Sequence, residues 1–158
     1  MGKRNLGEQI HVVPLLAPVL LSASSDITGI NMGLFNKVDF IMCLGELVTA
    51  NFALTVVADT AAANTSATAI AFEYRVSAAA GTDTMGAVTA SESTGLTLTD
   101  GTYDNCTIIV SVDSDSLTAG KPYCRLVLTD PGTADALISV VAACYPRYPQ
   151  PTPSLALT

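Results

Sequence analysis

The chain has 158 residues and a formal net charge of −7, from 14 acidic and 7 basic residues. This length fits one domain with a sizeable core, and the 49% content of hydrophobic residues excludes a disordered chain. Because phosphate binding needs clustered Lys and Arg, the acidic balance predicts that nucleic acid is not a partner. Only 13% of the residues are charged, which is low for a free monomer and indicates that neighbouring subunits cover part of the surface.

Residues 1–21 are predicted to form an extended N-terminal arm. Residues 1–9 are polar and lack periodicity, and the apolar stretch after them carries Pro14 and Pro18. Since proline lacks the N–H donor of a sheet ladder, we expect this stretch to lie on a surface or to form an edge strand. No run reaches the ~18 apolar residues of a membrane helix, so no membrane is expected as a partner.

Residues 22–144 have the pattern of a β-sandwich domain. Apolar, β-branched runs are bounded by Asp, Ser, Gly and Pro, which are strand and turn signals. Strands are predicted over residues 36–44, 52–57, 67–77, 95–99, 105–113, 122–130 and 136–144. In the first of them, Val38, Phe40 and Met42 share one face because side chains alternate along a strand. Residues 78–93 are a long, weakly patterned connection.

The segment from Asp113 to Gly120 is predicted to form one helical turn, with Ser114 as its cap and Gly120 as its stop. Its alternating carboxylates resemble the start of a calcium loop, but the glycine and the final glutamate of such a loop are missing. The four cysteines have no metal-ligand spacing and lie in apolar runs, so we expect buried free thiols. They are Cys43, Cys106, Cys124 and Cys144.

No catalytic constellation is recognisable in the sequence. The single histidine, His11, lies in the proline-bearing apolar segment, and no Gly-x-Ser-x-Gly elbow supplies a nucleophile for it. The glycines are dispersed, so no phosphate-binding loop is present. We therefore predict that the protein is not an enzyme and that it binds no cofactor and no metal.

Residues 145–158 are predicted to form a Pro-rich C-terminal arm, because they contain four prolines: Pro146, Pro149, Pro151 and Pro153. Tyr and Arg are enriched at interface hot spots, and apolar arms cover much surface for few residues. The predicted interface residues therefore lie on the two arms: Lys3, Arg4, Ile10, Val12, Leu15, Leu16, Tyr145, Arg147 and Tyr148.

Roughly eight short strands without a long helix predict an all-β fold. The predicted architecture is a single β-sandwich, jelly-roll or immunoglobulin-like, with extended N- and C-terminal arms. The alternation of side chains does not reveal the order of strands in a sheet, so the jelly-roll order and the immunoglobulin-like order both remain open.

Four stretches resemble segments of small virion proteins from the head-gene region of tailed bacteriophages. They are Asn36-Lys-Val-Asp-Phe-Ile, Gly81-Thr-Asp-Thr-Met-Gly-Ala, Val112-Asp-Ser-Asp-Ser-Leu-Thr-Ala-Gly120 and Leu128-Thr-Asp-Pro-Gly132. The resemblance covers most of Asn36–Tyr148 and is to head decoration (cement) proteins. It implies a β-sandwich or jelly roll on the outer surface of a capsid, synthesised in the host cytoplasm. The implied partners are the major capsid protein and further copies of the chain, with a trimer favoured, and no catalytic residues carry over.

Two other classes remain open from the sequence. The chain could be another phage structural subunit, a tail tube or a head fibre, with residues 78–93 as the inner loop of a tube. It could also be a secreted adhesion or carbohydrate-binding β-sandwich, for which paired cysteines would be expected.

Overall fold

The computed structural model describes residues 6–48, 51–78, 80–129, 135–148 and 155–157. Within these ranges a short helix, α1 (Leu6–Gln9), precedes the strands, and a single 3₁₀ turn covers Ser114–Ser116. The strands are β1 (His11–Leu21), β2 (Ser25–Asp26), β3 (Ile30–Asn31), β4 (Phe35–Val48), β5 (Phe52–Asp59), β6 (Thr68–Ile70), β7 (Phe72–Val76), β8 (Thr89–Ser91), β9 (Leu96–Leu98), β10 (Thr107–Asp113), β11 (Tyr123–Thr129) and β12 (Asp135–Pro146).

The strands form two antiparallel sheets that pack against each other, which confirms the predicted all-β sandwich. The first sheet, here called the β4 sheet, has the order β1-β12-β4-β10-β7-β8. The second, the β5 sheet, has the order β2-β11-β5-β6, and β3 and β9 pair with β11 and β5 outside that path.

The core lies between the two sheets and follows the predicted alternation. Val38, Phe40 and Met42 of β4 are fully buried, and Leu54 of β5 and Leu126 of β11 are equally buried in the other sheet. Burial of such apolar side chains, at about 1.5–3 kcal/mol each, is the main force that holds the two sheets together.

The predicted strand over residues 67–77 is two strands that belong to different sheets. Strand β6 pairs with β5, whereas β7 pairs with β10, and the chain crosses between the sheets at the exposed residue Ala71. Ile70 and Phe72 on either side of the crossing are both buried, so the apolar alternation continues through it. Periodicity alone therefore could not reveal the break.

The predicted N-terminal arm is part of the sandwich from His11 onward. Strand β1 pairs with β12 from His11 to Leu21, as the edge of the β4 sheet. The register shifts twice along β1, between Pro14 and Leu16 and between Leu16 and Val19. An edge strand with bulges accommodates proline, because one side of the strand needs no ladder donor. The structure thus has the edge strand that was one of the two expectations for this stretch, and the strand belongs to the sandwich and not to a separate arm. Residues 1–5 lie outside the described ranges.

The predicted C-terminal arm also starts inside the sandwich, since β12 runs two residues past 144, to Pro146. Near the end of the chain, Ala156 is buried in the core, and its carbonyl oxygen accepts a hydrogen bond from the Asn31 N–H at 2.7 Å. Residues 149–154 and Thr158, which the prediction also assigned to this arm, lie outside the described ranges.

The helical turn predicted after Asp113 is present but is organised differently. Asp113 rather than Ser114 precedes the turn, and no side-chain hydrogen bond caps it. The turn ends at Leu117, and Gly120 takes a positive φ of 78° in the turn that follows. The cap prediction was wrong because Ser114 lies inside the turn as its first residue, and its hydroxyl lies 3.4 Å from the Asp115 carboxylate instead.

Two glycines with positive φ give a matched stability test. Gly95 (φ 89°) lies against the backbone of Leu54 and the methyl of Thr55, which a Cβ would approach within 2.5 Å, whereas a Cβ on Gly101 (φ 73°) would meet nothing within 4 Å. We expect Gly101→Ala to lower the free energy of unfolding by about 1 kcal/mol and Gly95→Ala by about 3 kcal/mol. Urea denaturation measures both, and equal losses would contradict the close approach at Gly95.

Candidate binding surfaces

Exposed apolar side chains gather around the turn that leads into β4. The residues of this surface, here called the Tyr148 patch, are Leu34, Tyr148, Leu155 and Leu157. The Arg147 N–H donates to the Leu34 carbonyl at 3.1 Å, which places Tyr148 beside the turn. The bond between Asn31 and Ala156 holds the two leucines on either side of Ala156 at the same turn. Tyr148 is 73% exposed and Leu155 is 67% exposed, so the patch is open to a partner.

A second apolar surface lies at the other end of the same strands. The residues of this surface, here called the Leu137 patch, are Leu20, Val48 and Leu137. Leu20 and Leu137 are cross-strand neighbours in β1 and β12, and they are 61% and 49% exposed. Leu137 also lies over Gly45 of β4, where a Cβ would come within 3.0 Å of the leucine Cβ. The absence of a side chain at Gly45 thus makes room for Leu137 on the outer face of the sheet.

The two patches are far apart because they adjoin opposite ends of the long strand β4. The Phe35 end of this 14-residue strand adjoins the Tyr148 patch, and its Val48 end belongs to the Leu137 patch. At about 3.3 Å per residue the patches are roughly 40 Å apart. Strand β12 runs alongside β4 over almost the whole distance. The hydrogen bonds between β4 and β12 thus fix the distance between the two patches.

A cleft of about 540 Å³ opens beside the Tyr148 patch, and we call it the Lys121 cleft. Its apolar wall includes Met32, Leu117 and Pro122, and two basic residues, Lys121 and Arg147, also line it. None of the described residues that line the cleft is acidic. Asp113 and Asp115, on either side of the lining residue Ser114, are exposed nearby.

Both basic groups of the cleft bond to neutral oxygens. The Lys121 Nζ donates to the Ser66 carbonyl and, at 2.5 Å, to the Thr68 hydroxyl. The Arg147 Nη2 donates to the Met32 carbonyl at 3.5 Å. Neither basic group forms an ion pair with any described residue. Ser66 and Thr68 do not line the cleft, so the hydrogen bonds of the Lys121 ammonium lie outside it, toward β6.

Lys121 is positioned through a buried ion network on the outer face of the β5 sheet. The side chain of Arg125 is only 1% exposed, and its guanidinium lies 3.3 Å from Asp59 and 3.0 Å from Asp26. The Asp59 carboxylate also accepts the N–H groups of Thr60 (2.7 Å), Thr65 (3.2 Å) and Ser66 (2.8 Å). The loop that supplies these donors ends at the Ser66 carbonyl to which Lys121 bonds.

The Asp59 carboxyl is held in its ionised form. Burial alone would raise its pKa, but the backbone N–H groups of Ser66, Thr65 and Thr60 and the charge of Arg125 lower the pKa to about 2. An ionised carboxylate with this many donors is a stable anchor for the loop at neutral pH. Sequence reasoning missed Asp59 and Arg125, which are 66 residues apart. The only sequence signal for this ion pair was the charged residue Arg125 inside the apolar run of β11.

The predicted interface residues fall into several groups. Lys3 and Arg4 lie outside the described ranges. Ile10 is half-buried, and Leu15 and Leu16 pack partly against the protein's own core, whereas Val12 is exposed on the edge strand. Tyr145 is half-buried beside Lys37, and burial and a hydrogen bond to Asp39 raise its pKa. Arg147 and Tyr148 are exposed and lie together at the cleft and its patch. Contact of these residues with a partner stays a prediction.

The cysteines are all free thiols, but they are not all buried as expected. Cys43 is exposed on the outer face of β4, with its sulfur 3.9 Å from the Thr107 hydroxyl. The prediction failed for Cys43 because it rested on the apolar run around the cysteine. By alternation Cys43 lies on the opposite face from Val38, Phe40 and Met42, and that face is outside the core.

Comparison with known proteins returned no match among family models, curated proteins or solved structures. Among the described residues, no helix is long and apolar enough to cross a membrane. The same residues contain no group of three or more His, Cys, Asp or Glu side chains placed to hold a metal ion.

The low pKa of Asp59 makes part of the protein's stability depend on pH. The folded pKa lies below the ordinary value of 3.8, so the contribution is complete above about pH 4 and is lost as the pH falls toward 2. We expect the gap in unfolding free energy between the wild type and Asp59→Asn to shrink over that window. Urea midpoints measured from pH 7 to pH 2 test this, and parallel curves for the two proteins would contradict it.

Exposure of Cys43 predicts one reactive thiol in the folded protein. Cys106, Cys124 and Cys144 are buried, and burial raises the pKa of Cys144 to about 12 and that of Cys124 well above its ordinary value. We expect a thiol-specific reagent to modify Cys43 rapidly and the other three only after denaturation. Mass spectrometry of digested protein locates the label. Rapid labelling of a second cysteine without unfolding would contradict the described packing.

Proposed function

We propose that this protein is a structural subunit that bridges neighbouring molecules of a larger assembly. The observation that carries the proposal is the pair of apolar patches at opposite ends of β4. Exposed apolar clusters of this kind mark interaction sites, because water contact with them is unfavourable. Two such sites roughly 40 Å apart let one rigid molecule touch two neighbours.

The body between the two patches suits such a bridge. Strands β1, β12 and β4 are hydrogen-bonded side by side over most of their lengths, and their inner faces belong to one core. A load applied at one patch passes to the other through backbone hydrogen bonds and packed side chains. The sheet edge formed by β1 is unsuited to pairing with a further strand, because of its two prolines and two bulges. The patches, rather than this edge, are therefore the proposed contacts.

More specifically, we propose a decoration (cement) protein on the outer surface of a tailed-phage capsid. The support is the resemblance of four short motifs between Asn36 and Gly132, together with the β-sandwich body and the paired patches. On this proposal the major capsid protein is the partner at one patch or both. Further copies of this chain, with a trimer favoured, would share the remaining contacts. The low content of charged residues is what a surface partly covered by neighbours requires.

The proposal predicts that each patch is needed for binding to particles. We expect Leu137→Glu and Tyr148→Glu each to lower occupancy on particles at least about tenfold, because a charge at the centre of an apolar contact is costly. Particles without the protein should assemble but lose their contents at a lower temperature. Occupancy is measured by co-sedimentation, and release is measured with a dye that reports exposed nucleic acid.

Val88→Glu is the matched control, since Val88 is also an exposed apolar residue (49%) but belongs to neither patch. Its occupancy and heat resistance should equal those of the wild type. If both patch variants bind and protect particles normally, the bridging role is wrong. If only one variant fails, the protein is attached at a single end.

A further inference from the structure

We propose that residues 155–157, here called the tail, dock on the β3 edge of a second copy of this chain when copies assemble. Within one copy the tail already docks on that copy's own β3, so the site and the chemistry of its occupant are both present in the structure. The proposal deepens the proposed function, on which it rests for the presence of neighbouring copies, because it names the segment that joins two of them.

The contact between the tail and β3 consists of a buried side chain and a backbone hydrogen bond. Ala156 is only 2% exposed and belongs to the core, and its carbonyl oxygen accepts the Asn31 N–H at 2.7 Å. Asn31 pairs with Tyr123 of β11 on one side of β3, so the N–H that bonds to Ala156 is directed away from β11. The tail therefore lies at the outer edge of β3, in the manner of a segment that extends a sheet.

Docking within one copy leaves most of the tail uncovered. Leu155 and Leu157, on either side of the buried alanine, are 67% and 41% exposed. Leu34 and Tyr148 of the same patch are exposed as well. Since exposed apolar clusters mark contacts with other molecules, the docked tail is expected to be covered in the assembly.

A second copy of the chain is the occupant that the observations favour. Every copy carries the same tail and the same β3 edge, so a tail that docks on a neighbour forms the same buried contact and the same backbone bond. Exchange of an identical element between copies therefore costs little. Because the two leucines belong to the Tyr148 patch, exchange also places the patches of two copies side by side and covers both.

The length of the chain before the tail fixes where the second copy lies. Seven residue steps lead from Tyr148 to Leu155, and residues 149–154 lie outside the described ranges. At about 3.6 Å per residue these steps span at most about 25 Å. A copy at the Leu137 patch, roughly 40 Å away, is out of reach. The exchanging copy must therefore adjoin the Tyr148 patch.

Cross-linking of the full-length protein tests the proposal. Cys43→Ser removes the exposed thiol, and Asn31→Cys and Leu155→Cys in the same chain place one thiol on each side of the docking contact. We expect a short bis-maleimide to give mainly products with the mass of two or more chains on a denaturing gel. The control chain carries Val88→Cys in place of Leu155→Cys, and it should give at least about tenfold less of these products, because Val88 belongs to neither patch.

Light scattering gives a second measurement that needs no cross-linker. The mass of the wild type should rise with concentration, and Ala156→Asp should weaken this association at least about tenfold, because a carboxylate cannot occupy the buried position. Val88→Asp, which replaces an exposed residue, should leave the association within about twofold. A urea curve establishes that Ala156→Asp is folded. If it is not folded, the cross-linking experiment decides, since Ala156 is intact there.

Three outcomes would overturn the proposal. The first is cross-linked product with the mass of a single chain only, which would keep each tail on its own copy. The second is a wild type that stays monomeric at every concentration, and the third is association that Ala156→Asp leaves unchanged. These measurements use no particles, so a tail that stays on its own copy leaves the bridging role standing. Normal particle binding by the patch variants would likewise leave exchange of the tail standing.

Discussion

The ion pair between Arg125 and Asp59 is the interaction on which the arrangement of the loop over residues 60–66 depends. It joins β11 to the end of β5, and Asp26 brings β2 into the same network. The Asp59 carboxylate gathers three backbone N–H groups of the loop that follows it. That loop presents the Ser66 carbonyl to Lys121, so a buried ion pair in one sheet fixes the position of the Lys121 ammonium. Removing one partner of such a buried pair is strongly destabilising, because the other charge is left buried without compensation.

The rest of the surface is unusually apolar because only 13% of the residues are charged. The apolar alternation that builds the core leaves other apolar residues outside it, at the two ends of β4 and across its outer face. Ile41, Ile109 and Val141 lie half-buried on that outer face, where a solvated sheet would carry polar side chains. On the proposed function, these apolar surfaces are contacts with neighbours, positioned by the paired strands.

The sequence predicted the fold class and the inner faces of the strands, because alternation and burial are both local properties. It did not predict the crossing at Ala71, where the apolar pattern continues from one sheet to the other. It offered an edge strand for β1 only as one alternative within an arm, because two prolines interrupt the eleven residues of this strand. Arg147 and Tyr148 were predicted from composition, but the cleft was not. Its walls come from residues near 32, from residues 114–122 and from Arg147, and only the folded chain brings them together.

Electron cryo-microscopy of the native assembly tests the central claim most directly, since the account depends on one rigid sandwich joining two neighbours. The sandwich is predicted to lie on the outside of a closed shell. The Tyr148 patch should lie against one neighbour, and the Leu137 patch, at the Val48 end of β4, against another. An isolated molecule, or an assembly in which both ends of β4 face solvent, would contradict it.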